Sequence, residues 1–118
     1  MTRLEMQPVV RYEGGSPGTE IWGMTQANFL VATPGRHAKE AAVNLTDAAA
    51  VWLAKELGVA DSKEFRQETA RQIGTAFLTD VVERGLPVES IVIASEGFFE
   101  DHPELVAQLR VAAAAAAV

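Results

Sequence analysis

The chain has 118 residues, 48% of them apolar and 22% charged, a composition that builds one hydrophobic core and excludes a disordered chain. It has no cysteine, which excludes a disulfide framework, a thiolate zinc site and a cysteine nucleophile. The formal net charge is -6, with most of the excess acid after residue 86, and such a surface disfavours nucleic acid as a partner.

In chain order the first third reads as β-structure. "QPVVRY" is a short strand closed by "EGGSPG", whose glycines permit positive φ and whose Pro17 blocks pairing. "EIWGMTQANFLVAT" is a second strand rich in β-branched and aromatic residues, with Gly23 expected at a bulge or close approach. "PGRHAKE" then reads as a hairpin loop leading into a third strand, "AAVNL". A single helix from Pro34 onward is the alternative, because "RHAKEAA" has good helix propensity. The hairpin is favoured, since Asn44 and Thr46 interrupt that helix and Thr46 is a good N-cap.

The middle reads as two helices. After Thr46, Ala49, Trp52, Leu53 and Leu57 recur on one face, and Gly58 stands where a left-handed residue ends a helix. Asp61 is expected to cap the second helix, with Glu64 completing a capping box and Gly85 ending it. The apolar stripe of this helix shifts after Gly74, from Phe65, Ile73 and Phe77 to Leu78, Val81 and Val82. Either the helix bends there, or Leu78, Val81 and Val82 form an interface with another subunit.

"VESIVIAS" predicts a central strand covered on both faces. In "SEGFFEDHPEL", Asp101 is expected to cap a last helix running through Leu105, Val106 and Leu109 into an alanine-rich tail at 111–118. These elements predict a single α+β domain over 1–118, with about four strands in a mostly antiparallel sheet and three helices mainly on one face. Exposed edges in so small a sheet predict a homodimer. Without a signal-peptide pattern or a run of ~20 apolar residues, the expected setting is the cytoplasm and not a membrane.

Four groups of residues carry chemistry. Glu96, Asp101 and His102 would supply an acid, a base or hard-metal ligands, and the plain alternative is a solvated loop with a helix cap. Arg36 and His37, beside Lys39, would hold an anion or phosphate, although no phosphate-binding glycine motif is present. Were His37 and His102 to meet near a carboxylate, a two-histidine metal site would result, but no ligand spacing predicts one. Trp22, Met24 and Trp52 would line an apolar ligand pocket between sheet and helices, with Glu56 at its rim.

"WLAKELGVADSKEFRQETARQ" resembles the helix-turn-helix of DNA-binding domains, with Lys63, Arg66 and Arg71 on the second helix. That resemblance implies a helix in the major groove. The acidic Asp61, Glu64 and Glu68 and the overall charge oppose it. The leading expectation is therefore a non-enzymatic module that binds a protein or a small ligand as a homodimer. A carboxylate and histidine enzyme comes second and DNA binding third, and no cofactor is named by any motif.

Overall fold

The computed structural model describes residues 9–15 and 23–116. They form β1 (Val9–Gly15), β2 (Met24–Ala32), β3 (Lys39–Thr46), α1 (Asp47–Leu57), α2 (Lys63–Glu83), β4 (Ile91–Ala94), α3 (Glu96–Asp101) and α4 (Pro103–Ala116). One sheet has the order β1-β2-β3-β4, its first two pairs antiparallel and β3–β4 parallel. This is the expected α+β architecture, with a mixed sheet and one helix more than predicted. Trp22 and the start of the first predicted strand lie outside the described residues.

Side-chain alternation shows which face of the sheet is covered. In β2, Thr25, Ala27, Phe29 and Val31 are buried and the residues between them are half-buried, the period-2 pattern of a strand covered on one side. Ala41, Val43 and Leu45 of β3 and Val92 and Ala94 of β4 join that face. Against it lie Leu53 of α1, Ile73 and Leu78 of α2, Phe99 of α3 and Leu105 and Leu109 of α4, which together make the core.

The hairpin reading of residues 33–38 holds: β3 is a strand, and the loop closes with the Arg36 amide donating to the Thr33 carbonyl at 3.2 Å. Gly23 stands just before β2 at φ +75°, its carbonyl accepting from the Asp47 amide at 2.9 Å, a close backbone approach, while a bulge-like register shift lies in β1 between Tyr12 and Gly14. The Thr46 hydroxyl accepts from the Ala49 amide at 3.2 Å, and Gly58 is left-handed at φ +69°, both as expected.

Several expectations are corrected. Ser62, not Asp61, caps α2, its hydroxyl accepting from the Phe65 amide at 3.0 Å. Asp61 is held one residue outside the helix by Arg66, whose Nε and Nη2 donate to its carboxylate at 2.9 and 2.7 Å. Asp101 does not cap the last helix, because residues 96–101 are themselves the short helix α3, capped by the Ser95 hydroxyl. Pro103 then separates α3 from α4: it lacks an amide hydrogen, and its ring would clash with the carbonyl of Phe99 in a continuous helix.

Helix α2 runs unbroken from Lys63 to Glu83. Its stripe shifts because it packs on the sheet along one side and meets α4 along another, both within the chain. Leu78 and Val81 are therefore buried in the molecule's own core, and Val82 is half-buried against it. The seam predicted from these three residues is filled from within.

β4 is an edge strand and not a central one. Ile91 is 66% exposed and Ile93 46%, while Val92 and Ala94 point inward. The continuous apolar run "IVIA" is what a doubly covered strand needs, and nothing in it distinguishes that case from a bare-faced edge. Among the described residues, no helix is long and apolar enough to cross a membrane.

Candidate functional site: a basic cleft

The β2–β3 hairpin loop and the loop from α2 to β4 enclose a cleft of about 730 Å³, within the usual range for a small-molecule site. Gly35, at φ +75°, turns the first loop, and Gly85, at φ +71°, turns the second where α2 ends. The Leu86 amide donates back to the Val81 carbonyl at 3.0 Å, which fixes the second loop against the helix. A side chain links the two loops as well: the Lys39 ammonium donates to the Val88 carbonyl.

Arg36, His37 and Lys39 line one side of this cleft, and Val31, Val82, Leu86 and Val88 supply apolar surface. No carboxylate is among its lining residues. The contrast with the other clefts is sharp. The groove between α2 and α4, about 540 Å³, sets Asp80 and Glu83 beside Arg71. The depression on the helix-free face, about 760 Å³, has Glu13 and Glu40. The small cleft beside Trp52, about 360 Å³, has Glu56 and Glu100 facing Arg110.

Arg36 differs from the other described arginines in the same way. Arg11 is on Glu13, Arg66 on Asp61 and Asp47, Arg71 on Glu68, Arg84 on Asp80 and Arg110 on Glu56. Arg36 makes no side-chain hydrogen bond or ion pair among the described residues, so its five donors face solvent and the cleft. In a chain of 16 acidic and 10 basic residues, acids are available to pair with it, and the hairpin holds it apart from them.

The remaining predicted site residues are dispersed. Glu96 lies at the start of α3 and Asp101 at its end, both exposed. His102 follows as the C-cap of α3, its ring tilted on Phe98 at 4.6 Å and edge-on to Phe77 at 5.4 Å, with Nδ1 3.3 Å from Glu104. This is an aromatic contact at a helix junction, and its side chain remains 33% exposed. His37 is in the hairpin loop, on a different cleft. Among the described residues, no three histidine or acidic side chains group as metal ligands.

Met24 and Trp52 are not brought together. Met24 alternates with the buried Thr25 and so belongs to the helix-free face, whereas Trp52 packs from α1 against Phe99 on the helical side. Glu56, expected at the rim of the pocket they would line, clasps α4: Arg110 donates to its carboxylate at 3.0 Å and to its backbone carbonyl at 3.1 Å.

The cations of the helix-turn-helix resemblance are also engaged. Arg66 bridges Asp47 and Asp61, so a DNA phosphate would have to displace two carboxylates from it. Its guanidinium holds Asp61 below the usual carboxylate range, and hydrogen bonds from Arg71 and Gln72 do the same for Glu68. The sequence reading grouped Arg36 and His37 with Lys39 as a basic cluster but missed the apolar residues of the α2–β4 loop that complete the cleft. No local signal joins positions 36 and 86, which meet only through the β3–β4 pairing. No protein-family model, curated protein or solved structure matches this chain.

Proposed function

We propose that the chain is a non-enzymatic ligand-binding module whose site is the basic cleft, and that it takes an anionic group on Arg36, with His37 and Lys39 beside it. The observation that supports this reading is the unpaired Arg36 in a cleft without carboxylates, in a chain whose other described arginines are all neutralised. A guanidinium offers a planar fork to an oxyanion, and the cleft walls lower the local dielectric around it. The test is a thermal-shift titration with sodium phosphate at constant ionic strength, for wild type and Arg36→Gln. A ligand that binds only the folded state raises the midpoint by mass action. A rise in wild type that Arg36→Gln loses supports the reading, and identical curves refute it.

The same proposal includes a cytosolic setting and assembly with a second copy through β4. The Ala42 amide donates to the Ser90 carbonyl at 2.8 Å, so by alternation along a parallel pair the polar groups of Ile91 and Ile93 point away from β3. No lysine, proline or bulge guards these four residues. The edge is self-complementary: antiparallel pairing about Val92 would set Ile91 of each copy against Ile93 of the other, joining two four-stranded sheets.

A further inference from the structure

We infer that the ligand of the basic cleft is an amphipathic anion, an oxyanion head carrying an aliphatic body, and not a bare inorganic anion. The inference rests on the proposed anion site and specifies what else the ligand must contain. The basic side chains occupy only part of the lining. Opposite them, Val82, Leu86 and Val88 present apolar surface from the end of α2 and the loop that follows it, with Val31 buried beneath.

Leu86 is 50% exposed on a turn whose backbone is already tied to α2, so its side chain is available to a ligand without disturbing the core. Lys39 crosses between the two walls, its ammonium donating to the Val88 carbonyl, so charged and apolar surfaces adjoin in one cleft. Inorganic phosphate or acetate would fill a small part of about 730 Å³ and leave the apolar wall in water. A chain of several methylenes attached to the anion covers that wall while its head stays on Arg36. Burial of each methylene is worth roughly 0.8 kcal/mol, or about a fourfold gain in affinity, with about twofold for half burial.

The experiment is an NMR titration of the whole chain with acetate, butyrate, hexanoate and octanoate, read on the methyl resonances of Val82, Leu86 and Val88. Hexanol is the uncharged control. The expected result is an affinity that rises about two- to fourfold per methylene, is lost throughout the series in Arg36→Gln, and loses its chain-length slope in Leu86→Ser while acetate binding persists. Equal affinities for acetate and octanoate, both dependent on Arg36, would overturn the amphipathic ligand and leave the anion site standing. Hexanol binding as tightly as hexanoate, or a slope that persists in Arg36→Gln, would overturn it too, because apolar adsorption alone would explain the data. Absence of binding by every acid would overturn both readings.

Discussion

Gly74 of α2 lies directly over Phe29 of β2: a methyl group at Gly74 would stand 2.3 Å from the nearest ring carbon of Phe29 and 3.2 Å from a methyl of Val43. Both partners are fully buried, so the ring has no free space to move into. The glycine is a contact surface, where the backbone of the longest helix rests against side chains of the sheet.

Gly74→Ala therefore reverses the usual helix rule. Alanine in a helix interior normally gains about 1 kcal/mol over glycine. Here overpacking costs ~1–3 kcal/mol on the same scale of energies, and the net effect is destabilisation. Urea unfolding of the variant measures it, and a raised midpoint would show that α2 does not sit on Phe29.

Arginine substitutions separate structure from binding. Arg66→Gln leaves Asp47 and Asp61 without their shared partner and is expected to cost about 1 kcal/mol, the upper end for partly exposed pairs. Arg36→Gln breaks no described bond and is expected to change stability by less than ~0.5 kcal/mol. Chemical denaturation of the two variants side by side checks the contrast.

The stability of the fold has a predictable acid limb. Asp61 and Glu68 have folded pKa values below their unfolded ones because arginine hydrogen bonds favour the carboxylate. Between those values the unfolded chain binds more protons, so stability is fully present above about pH 4–5 and falls as pH drops through the folded values. Asp61→Asn removes part of that fall. Thermal midpoints from pH 6 to pH 2.5 for wild type and Asp61→Asn should converge at the acid end, and parallel curves would contradict the assignment.

Assembly through β4 predicts concentration-dependent mass. Sedimentation equilibrium of the wild type should give a dimer, and Ile93→Lys should give a monomer of unchanged helix content. A charge at that position desolvates poorly against Ile91 of the second copy and occupies the edge with a solvated side chain. A wild type that stays monomeric at high concentration would remove β4 as an interface.

Local signals in this sequence survive folding better than long-range ones. Thr46 and Gly58 bound α1 as their chemistry demands, because a cap depends on residues within three or four positions. Ser62 displaced Asp61 as the cap of α2 since both can cap, and the choice was made by Arg66, which takes Asp61. Ser95 likewise starts a helix in a segment expected to be a loop, because it too has an acid in the following turn.

The errors of position share one cause. β4 reads as central from its own residues, and only its parallel pairing with β3 alone makes it an edge. Leu78 and Val81 read as a seam for another subunit from their own helix, and packing within the chain buries both. The basic cleft is half legible: "PGRHAKE" displays its charges in the sequence, but its apolar wall comes from residues almost fifty positions later.

The central claim is that Arg36 is the anion receptor, and the most direct measurement follows the Nε–H resonances of the arginines while sodium phosphate is added at constant ionic strength. The Arg36 resonance should shift and saturate, while those of Arg66 and Arg71, already on carboxylates, stay in place. If every arginine resonance drifts together without saturation, or Arg36 stays still, the cleft does not bind anions and the proposed function fails.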